Sequence, residues 1–254
     1  MSIEHTPLRI ATVQAGLGVP STTARLATTL EEALVNEARA AGLEPSLTRV
    51  NVREIATAVT EATVTGFASE TVESALEAVQ DADLLIAVTP TFNASYSGLF
   101  KAFFDLLDAE AIANTPVILG ATGGTARHSL VIDMAMRPLF SYLRAIPVPT
   151  SVFAASEDFA SPGGAGSISV RAARIAEEAL ALVGARKAST ANAGRPAPGS
   201  TGKNGARDDS VKRDSDGGQA TVGTANPEVL HSPAGDFTPF DQIARKLSGN
   251  ETER

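Results

Sequence analysis

Apolar positions recur along the first 184 residues with two alternating periods. LRIATVQA (8–15) is rich in strand formers, and a Gly/Pro/Ser loop separates it from a helical stretch over 22–41, for which Gly42 is a natural stop. EPSLTRVNV (44–52) alternates as a second strand, whereas 53–68 carries no clean period and reads as a helical turn and a loop. Val72, Leu76 and Val79 give 70–82 helical spacing. DLLIAVTP (83–90) and TPVILGAT (115–122) are near-continuous apolar runs, the pattern of strands covered on both faces. Helices are predicted over 99–107, 130–143 and 168–183, and IPVPTSVFA (146–154) makes a fifth strand with prolines at its start.

Strands alternating with helices predict an α/β domain, a parallel sheet wrapped on both faces by right-handed crossovers. In that class ligands sit beyond the C-terminal strand ends, where the winding reverses, so the loops after strands one, three and four are the places for chemistry.

The pattern stops at 184. Between 185 and 234 the chain is mostly Ala, Gly, Ser, Thr, Asn and Pro with interspersed charges, too little apolar surface to offset the entropy of ordering it. It reads as a flexible linker. Residues 235–254 recover Phe237, Phe240, Ile243 and Leu247, and the last three have the spacing of a short amphipathic docking helix.

Composition narrows the chemistry. A hydrophobic fraction of 43% with 20% charged residues is ordinary globular material. A net charge of -8 argues against nucleic acid as partner, and the absence of cysteine excludes disulfides, thiolate catalysis and cysteine-ligated metals. No run approaches a membrane span and no basic-then-apolar leader opens the chain, so a cytoplasmic protein without membrane or metal is expected.

The first loop, QAGLGVPSTTARLA (14–27), puts Gly16 and Gly18 before Ser21, Thr22 and Thr23 at a helix start. Unpaired N–H groups and three hydroxyls there suit a phosphate monoester, while Ser21 also suits a simple helix cap. Gly16-x-Gly18 begins a dinucleotide fingerprint, but Ser21 stands at its third position, and the second strand ends in Asn51 and Arg53 with no acid placed for a ribose diol, although an Arg there suits a 2′-phosphate. The second loop, TPTFNASYSGLFKAFFD (89–105), offers Pro90, Thr91, Phe92, Asn93, Ser95 and Tyr96, a mixture of apolar faces and donors that a flat heteroaromatic ring requires. As a plain strand-to-helix turn, it would leave Tyr96 packed on the surface. In the third, GATGGTARHS (120–129), Thr122, Gly123 and Gly124 let backbone N–H groups approach a ligand. His128 follows just inside the next helix, a position where packing is the commoner role. No GxSxG, HExxH or GxxxxGK[ST] run is present.

Together these three segments resemble the NADPH-dependent FMN reductases of the flavodoxin-like superfamily, over about residues 6–184. VPSTTARLA looks like the family's phosphate loop. The second loop is close to the pattern TPxYxxSYxGxLKxxxD, with Phe92 where Tyr is commoner and its hydroxyl therefore missing. GATGGTARHSLVIDMAMRPLFSYL is similar to the third segment, a Thr-Gly-Gly turn before a helix carrying Arg-Pro-Leu. The flavour is closest to FMN reductases partnered with luciferase-like, two-component monooxygenases. The resemblance implies a flavodoxin-like five-stranded sheet of order 2-1-3-4-5, bound FMN, and a homodimer or dimer of dimers. By position, Ser21, Thr22 and Thr23 would hold the phosphate, with Pro90, Thr91, Phe92, Asn93 and Ser95 lining the ring and Thr122, Gly123 and Gly124 opposite. It further implies hydride transfer from NADPH, in preference to NADH, to the flavin, with no catalytic side chain required. Arg25 or Arg127 is a candidate for the dinucleotide's phosphates. A quinone, azo or chromate reductase on the same fold, or a one-electron flavodoxin carrier, are the rival readings. The large apolar residues of 97–107 and 127–143, including Phe100, Phe103, Phe104, Met134, Met136, Phe140 and Tyr142, exceed the needs of one helix face and point to a two-fold interface.

Overall fold

β1 (Leu8–Gln14) buries side chains on both of its faces, because helices cover the sheet from each side. The computed structural model describes residues 7–108 and 110–193. α1 (Thr22–Ala40) is amphipathic, with Leu26, Leu30, Leu34 and Ala38 on its buried stripe. Gly42, at φ +75, ends it in a Schellman arrangement: its N–H donates to the Arg39 carbonyl and the Leu43 N–H to that of Ala38, both at 2.9 Å. β2 (Pro45–Asn51) follows as the edge strand.

Between β2 and α3 (Glu70–Gln80) the expected turn and loop are a full helix, α2 (Ala56–Thr65). Its Thr and Val residues are poor helix formers and only Val59 and Ala62 are buried, so no periodic stripe announced it. Packing and a left-handed Gly66 define it instead.

β3 (Leu84–Phe92) is buried from Leu84 to Pro90 and lies beside β1 in parallel. A short strand, β4 (Ser95–Tyr96), turns back antiparallel on its end and leads into α4 (Gly98–Phe104). β5 (Pro116–Gly123) pairs with β3 on the side away from β1.

The helix expected over 130–143 is a composite. Ala126–His128 forms a 3₁₀ turn, Ile132–Met136 a π-turn, and only α5 (Arg137–Tyr142) is regular. Pro138 explains the change locally: it has no N–H, and its ring crowds the carbonyl four residues back. The fifth strand is also divided, into β6 (Ile146–Pro147) and β7 (Val152–Ala155), which pair with opposite ends of β5. Pro147 ends β6 and Pro149 lies within the break, and neither can donate to a ladder. Arg137 donates to the carbonyls of Val148 and Pro149, and Glu178 accepts from the N–H and hydroxyl of Thr150, so the break is pinned from two helices.

Leaving out the antiparallel β4 and counting β6 and β7 as one position, the sheet runs β2-β1-β3-β5-β6/β7, which is the order 2-1-3-4-5 of five parallel strands expected for a flavodoxin-like fold. α6 (Pro162–Ala193) starts earlier than expected and continues past 184 to Ala193, carried by an Ala-rich run with good helix propensity. The rest of the expected linker, from 194, and the segment 235–254 lie outside the described residues. No helix among the described residues is long and apolar enough to cross a membrane.

Candidate functional site

The chain leaves β1 toward β2 on one side and returns in β3 on the other, so the C-terminal ends of β1 and β3 form the point where winding reverses. The ends of β5 and β7 continue the same rim. All three loops singled out in the sequence meet here.

The first loop is folded tightly onto the start of α1. The Gly16 N–H donates to the Gln14 side chain at 2.9 Å, and a Cβ at Gly16 would lie 2.1 Å from the Ser21 hydroxyl. Only glycine fits. Ser21 is the helix cap, its Oγ accepting from the Ala24 N–H at 3.1 Å. Thr23 is buried, and its hydroxyl shares a 2.8 Å hydrogen bond with the hydroxyl of Thr122. The three hydroxyls expected to act alike therefore have different surroundings: Thr22 is exposed, Ser21 caps, and Thr23 ties the first loop to the third. The first-turn N–H groups of Thr22 and Thr23 have no intrahelical acceptor and, with the positive end of the helix dipole, suit an anion.

The second loop is a β-hairpin. Thr91 pairs with Tyr96 and Phe92 with Ser95, which leaves Asn93 and Ala94 as the two-residue turn. Both have positive φ, 48 and 66, the handedness that two-residue hairpins favour. Asparagine tolerates this; alanine is strained by its Cβ, and such strain clusters at functional sites. Ala94 is a candidate site residue that the sequence did not disclose, because the usual Asn-Gly signal is absent. Thr89 anchors the hairpin's base, its buried hydroxyl accepting from the Ser97 N–H at 3.1 Å and donating to the Pro90 carbonyl at 3.0 Å. Phe92 is exposed beside half-buried Ser95, and Asn93 is exposed at the tip. The Thr91 hydroxyl is shielded from solvent yet has no hydrogen-bond partner among the described residues. Such an atom calls for a ligand or a water.

In the third loop, Thr122 stands opposite Pro90 in the ladder, so the second and third loops leave adjacent strands at the same height. A Cβ at Gly123 would lie 2.8 Å from the Phe153 ring, which backs this loop and was not foreseen. Gly124 has open space around it. His128 is exposed in the 3₁₀ turn rather than set in the helix. Arg127 is exposed in that same turn, while Arg25 lies over the Phe159 ring at 4.9 Å.

Comparison with known proteins agrees with this geometry. A family profile described as NADPH-dependent FMN reductase matches residues 8–160. An NADH-dependent FMN reductase, SfnE of Pseudomonas putida, is 38% identical over 184 residues, covering 72% of this chain and 96% of its own length. An FMN reductase (NADPH) of Pseudomonas aeruginosa is 48% identical over 87 residues, 34% of this chain and 47% of its own. Among solved structures, an oxidoreductase from Corynebacterium diphtheriae superposes with a TM-score of 0.66 at 42% identity, covering 70% of this chain and 98% of that one. An apo NADH:FMN oxidoreductase, EmoB, superposes with a TM-score of 0.58 at 26% identity, covering 66% and 87%.

Proposed function

The chain belongs to the NADPH-dependent FMN reductase family, and on that premise we propose how its own residues serve an NAD(P)H:FMN oxidoreductase. The observation that carries the assignment of the site is the junction of all three loops at the winding reversal, closed by the Thr23–Thr122 hydrogen bond. The residues present fit FMN: a donor-rich helix start for a monoester, an unpartnered Thr91 hydroxyl, and an open Gly124 backbone. Ser21, Thr22 and Thr23 hold the phosphate, mainly through backbone N–H groups and the Thr22 hydroxyl. Pro90, Thr91, Phe92, Asn93 and Ser95 form one wall of the ring site, and Thr122, Gly123 and Gly124 the other.

FMN, when bound, supplies the hydride-accepting chemistry, and the protein supplies binding and orientation. The Thr89–Ser97 bond holds the second loop's hairpin at the end of β3, while the Thr23–Thr122 bond holds the first and third loops, which would carry the phosphate and one wall of the ring, in register. No acid or base is required of any side chain. NAD(P)H is the reductant, and reduced flavin is passed to a flavin-dependent monooxygenase in the cytoplasm. Leu130, Met134 and Tyr142, exposed on and beside the π-turn and α5, form a homodimer face.

Substitution of Thr22 and Ser21 by alanine tests the phosphate assignment. FMN affinity should fall about tenfold or more while riboflavin affinity stays within a factor of about two, each such hydrogen bond to a charged group contributing ~1.5–3 kcal/mol. Equal losses for both flavins, measured by fluorescence quenching, would remove the phosphate from this loop. Rapid mixing with NADH and NADPH tests the reductase reading directly, since neither donor would bleach a flavin bound to a protein of another class.

A further inference from the structure

Gln14 is the last residue of β1, paired with Asn51 on one side and Val88 on the other. Here the chain leaves the sheet and turns into the first loop. The Ala15 N–H still finds a strand acceptor, the Val88 carbonyl at 3.2 Å, and the Gln14 carbonyl accepts from the Val52 N–H at 3.0 Å. The Gly16 N–H lies past the last rung of the ladder, and the partly buried Gln14 side chain accepts it at 2.9 Å. A backbone N–H only donates, so the contact atom is the amide oxygen and the orientation of the amide is chemically determined. One residue closes the mouth of the loop with two oxygens, one from its main chain and one from its side chain.

The point where a Gly16 Cβ would lie shows what the side-chain oxygen stands beside. That point is 3.1 Å from Gln14 Oε1, 2.1 Å from Ser21 Oγ and 2.9 Å from Thr23 Cβ. The amide oxygen, the hydroxyl that caps α1 and the threonine bonded to Thr122 are all packed around one glycine. The Gln14–Gly16 bond therefore sets how closely Gly16 approaches Ser21 and Thr23, two of the residues assigned above to the phosphate.

The chemical nature of the acceptor matters as much as its place. Glutamate has the same length and, as a charged acceptor, would hold the Gly16 N–H more strongly. If closing the loop were the whole task, glutamate would serve at least as well. Beside a bound phosphate monoester, however, a carboxylate would repel the ligand, whereas an amide oxygen closes the loop without adding charge. We infer that Gln14 is a positioning residue for the flavin phosphate, and that its uncharged amide makes the closed loop selective for phosphorylated over unphosphorylated flavin. The inference rests on the phosphate reading of the first loop.

The test compares full-length Gln14→Glu and Gln14→Met with the parent, reading FMN and riboflavin affinities by fluorescence quenching in about 50 mM salt. Gln14→Glu keeps an acceptor of the same length and adds one negative charge. Its FMN affinity should fall at least ~20-fold, and the gap to the parent should narrow near ~1 M salt, where the screening length is about 3 Å. Gln14→Met keeps the length and loses the acceptor, so its FMN affinity should fall about tenfold with a gap that salt does not narrow. Riboflavin affinity should stay within about twofold in both, which also reports that they fold. A merely structural Gln14 would leave Gln14→Glu equal to the parent, and that result overturns the proposal. So does a Gln14→Glu gap that salt leaves unchanged, a Gln14→Met protein that binds FMN as the parent does, or an equal loss of both flavins in either variant. The phosphate assignment itself stands or falls on the Ser21 and Thr22 substitutions above, so the two readings fail separately.

Discussion

The two helical layers of this sheet solve the same packing problem with different materials. On the side of α1 and α6 the core is aliphatic, with Leu26, Leu30 and Leu34 meeting Ile168, Ile175 and Val183 over Ile86, Val88 and Ile118. The helices there are long, 19 residues in α1 and 32 in α6. On the other side four shorter helices and a π-turn surround an aromatic cluster of Phe100, Phe103, Phe104 and Phe140. Phe104 is its hub, with ring centroids 4.7 Å from Phe100, 5.0 Å from Phe140 and 5.5 Å from Phe103. The aromatic layer also carries the hairpin of the second loop, through Tyr96 packed at 6.0 Å from Phe100. Short helices need large rings to fill the space that a long helix would fill with many small side chains. Stability on the aliphatic side is therefore spread over many residues, while on the aromatic side it is concentrated in a few.

That difference is measurable. Phe104→Ala should cost ~3–5 kcal/mol of unfolding free energy, with ring–ring terms of ~0.5–1.5 kcal/mol lost in addition to burial. Leu30→Ala, equally buried in the other layer, should cost less, near the lower end of ~2–5 kcal/mol. Urea midpoints at one fixed flavin concentration report both, since bound flavin adds its own stabilisation. If Leu30→Ala proves the more damaging, the contrast between a concentrated and a distributed core is wrong.

The layers differ on their outer surfaces as well. Most of the large apolar side chains expected to form an interface are in the aromatic core: Phe100, Phe103, Phe104, Met136 and Phe140 are essentially fully buried. What remains outside is Leu130, Met134 and Tyr142, at 60%, 73% and 75% exposure, clustered along the π-turn and α5. The widened turn keeps Met136 inward while Met134 faces out. Met134→Glu combined with Tyr142→Glu should raise the dimer dissociation constant at least ~100-fold, or ~2.7 kcal/mol. Val170→Glu, an equally exposed apolar site on α6, should leave it unchanged. Sedimentation velocity separates the outcomes, and a parent protein that is monomeric at micromolar concentration would end the interface reading.

How far the chain discloses this arrangement depends on what each element draws its order from. Strands and helices with a periodic apolar stripe, such as β1, α1 and β3, were legible within a residue or two because burial alone dictates them. α2 was not, since Thr and Val have low helix propensity and its order comes from contacts made by other elements. The division of the last strand was visible only as two prolines, and its pinning by Arg137 and Glu178 depends on residues far along the chain. At the site, the three loops were recognisable by their hydroxyls and glycines. Their different roles were not: that Thr23 pairs with Thr122 across 99 positions is a fact of topology, not of local sequence. The hairpin turn at Asn93 and Ala94 escaped for a related reason, because the surrounding fold imposes a conformation that alanine does not favour.

The smallest contrast concerns the hydrogen-bonded tether that Glu178 of α6 extends to the broken strand. Glu178 accepts from the Thr150 hydroxyl at 2.7 Å and the Thr150 N–H at 2.8 Å, and pairs with Arg174 at 3.0 Å. The Thr150 hydroxyl above all, then the Thr150 N–H and the Arg174 charge, hold the Glu178 carboxyl below the ordinary glutamate value. A depressed folded-state pKa means that the native protein favours the ionised form. The resulting stability is present in full above the unfolded-state pKa, near 4.3, and is lost as pH falls through it toward the folded-state value. Arg137, by contrast, binds the same break from the aromatic layer by donating to the Val148 and Pro149 carbonyls, which carry no charge. Glu178→Gln should therefore destabilise the protein by roughly 1–2 kcal/mol at pH 7, with its amide N–H₂ unable to accept from Thr150 as the carboxylate does. The gap between variant and parent should close as pH falls below about 4, whereas an Arg137→Met variant, which also loses the Asp133 ion pair, should keep the part of its gap that comes from the Val148 and Pro149 carbonyl bonds. Chemical denaturation at several pH values measures both. A Glu178→Gln gap that stays the same from pH 7 to pH 3 would show that the carboxylate's charge contributes nothing to holding the two half-strands in line.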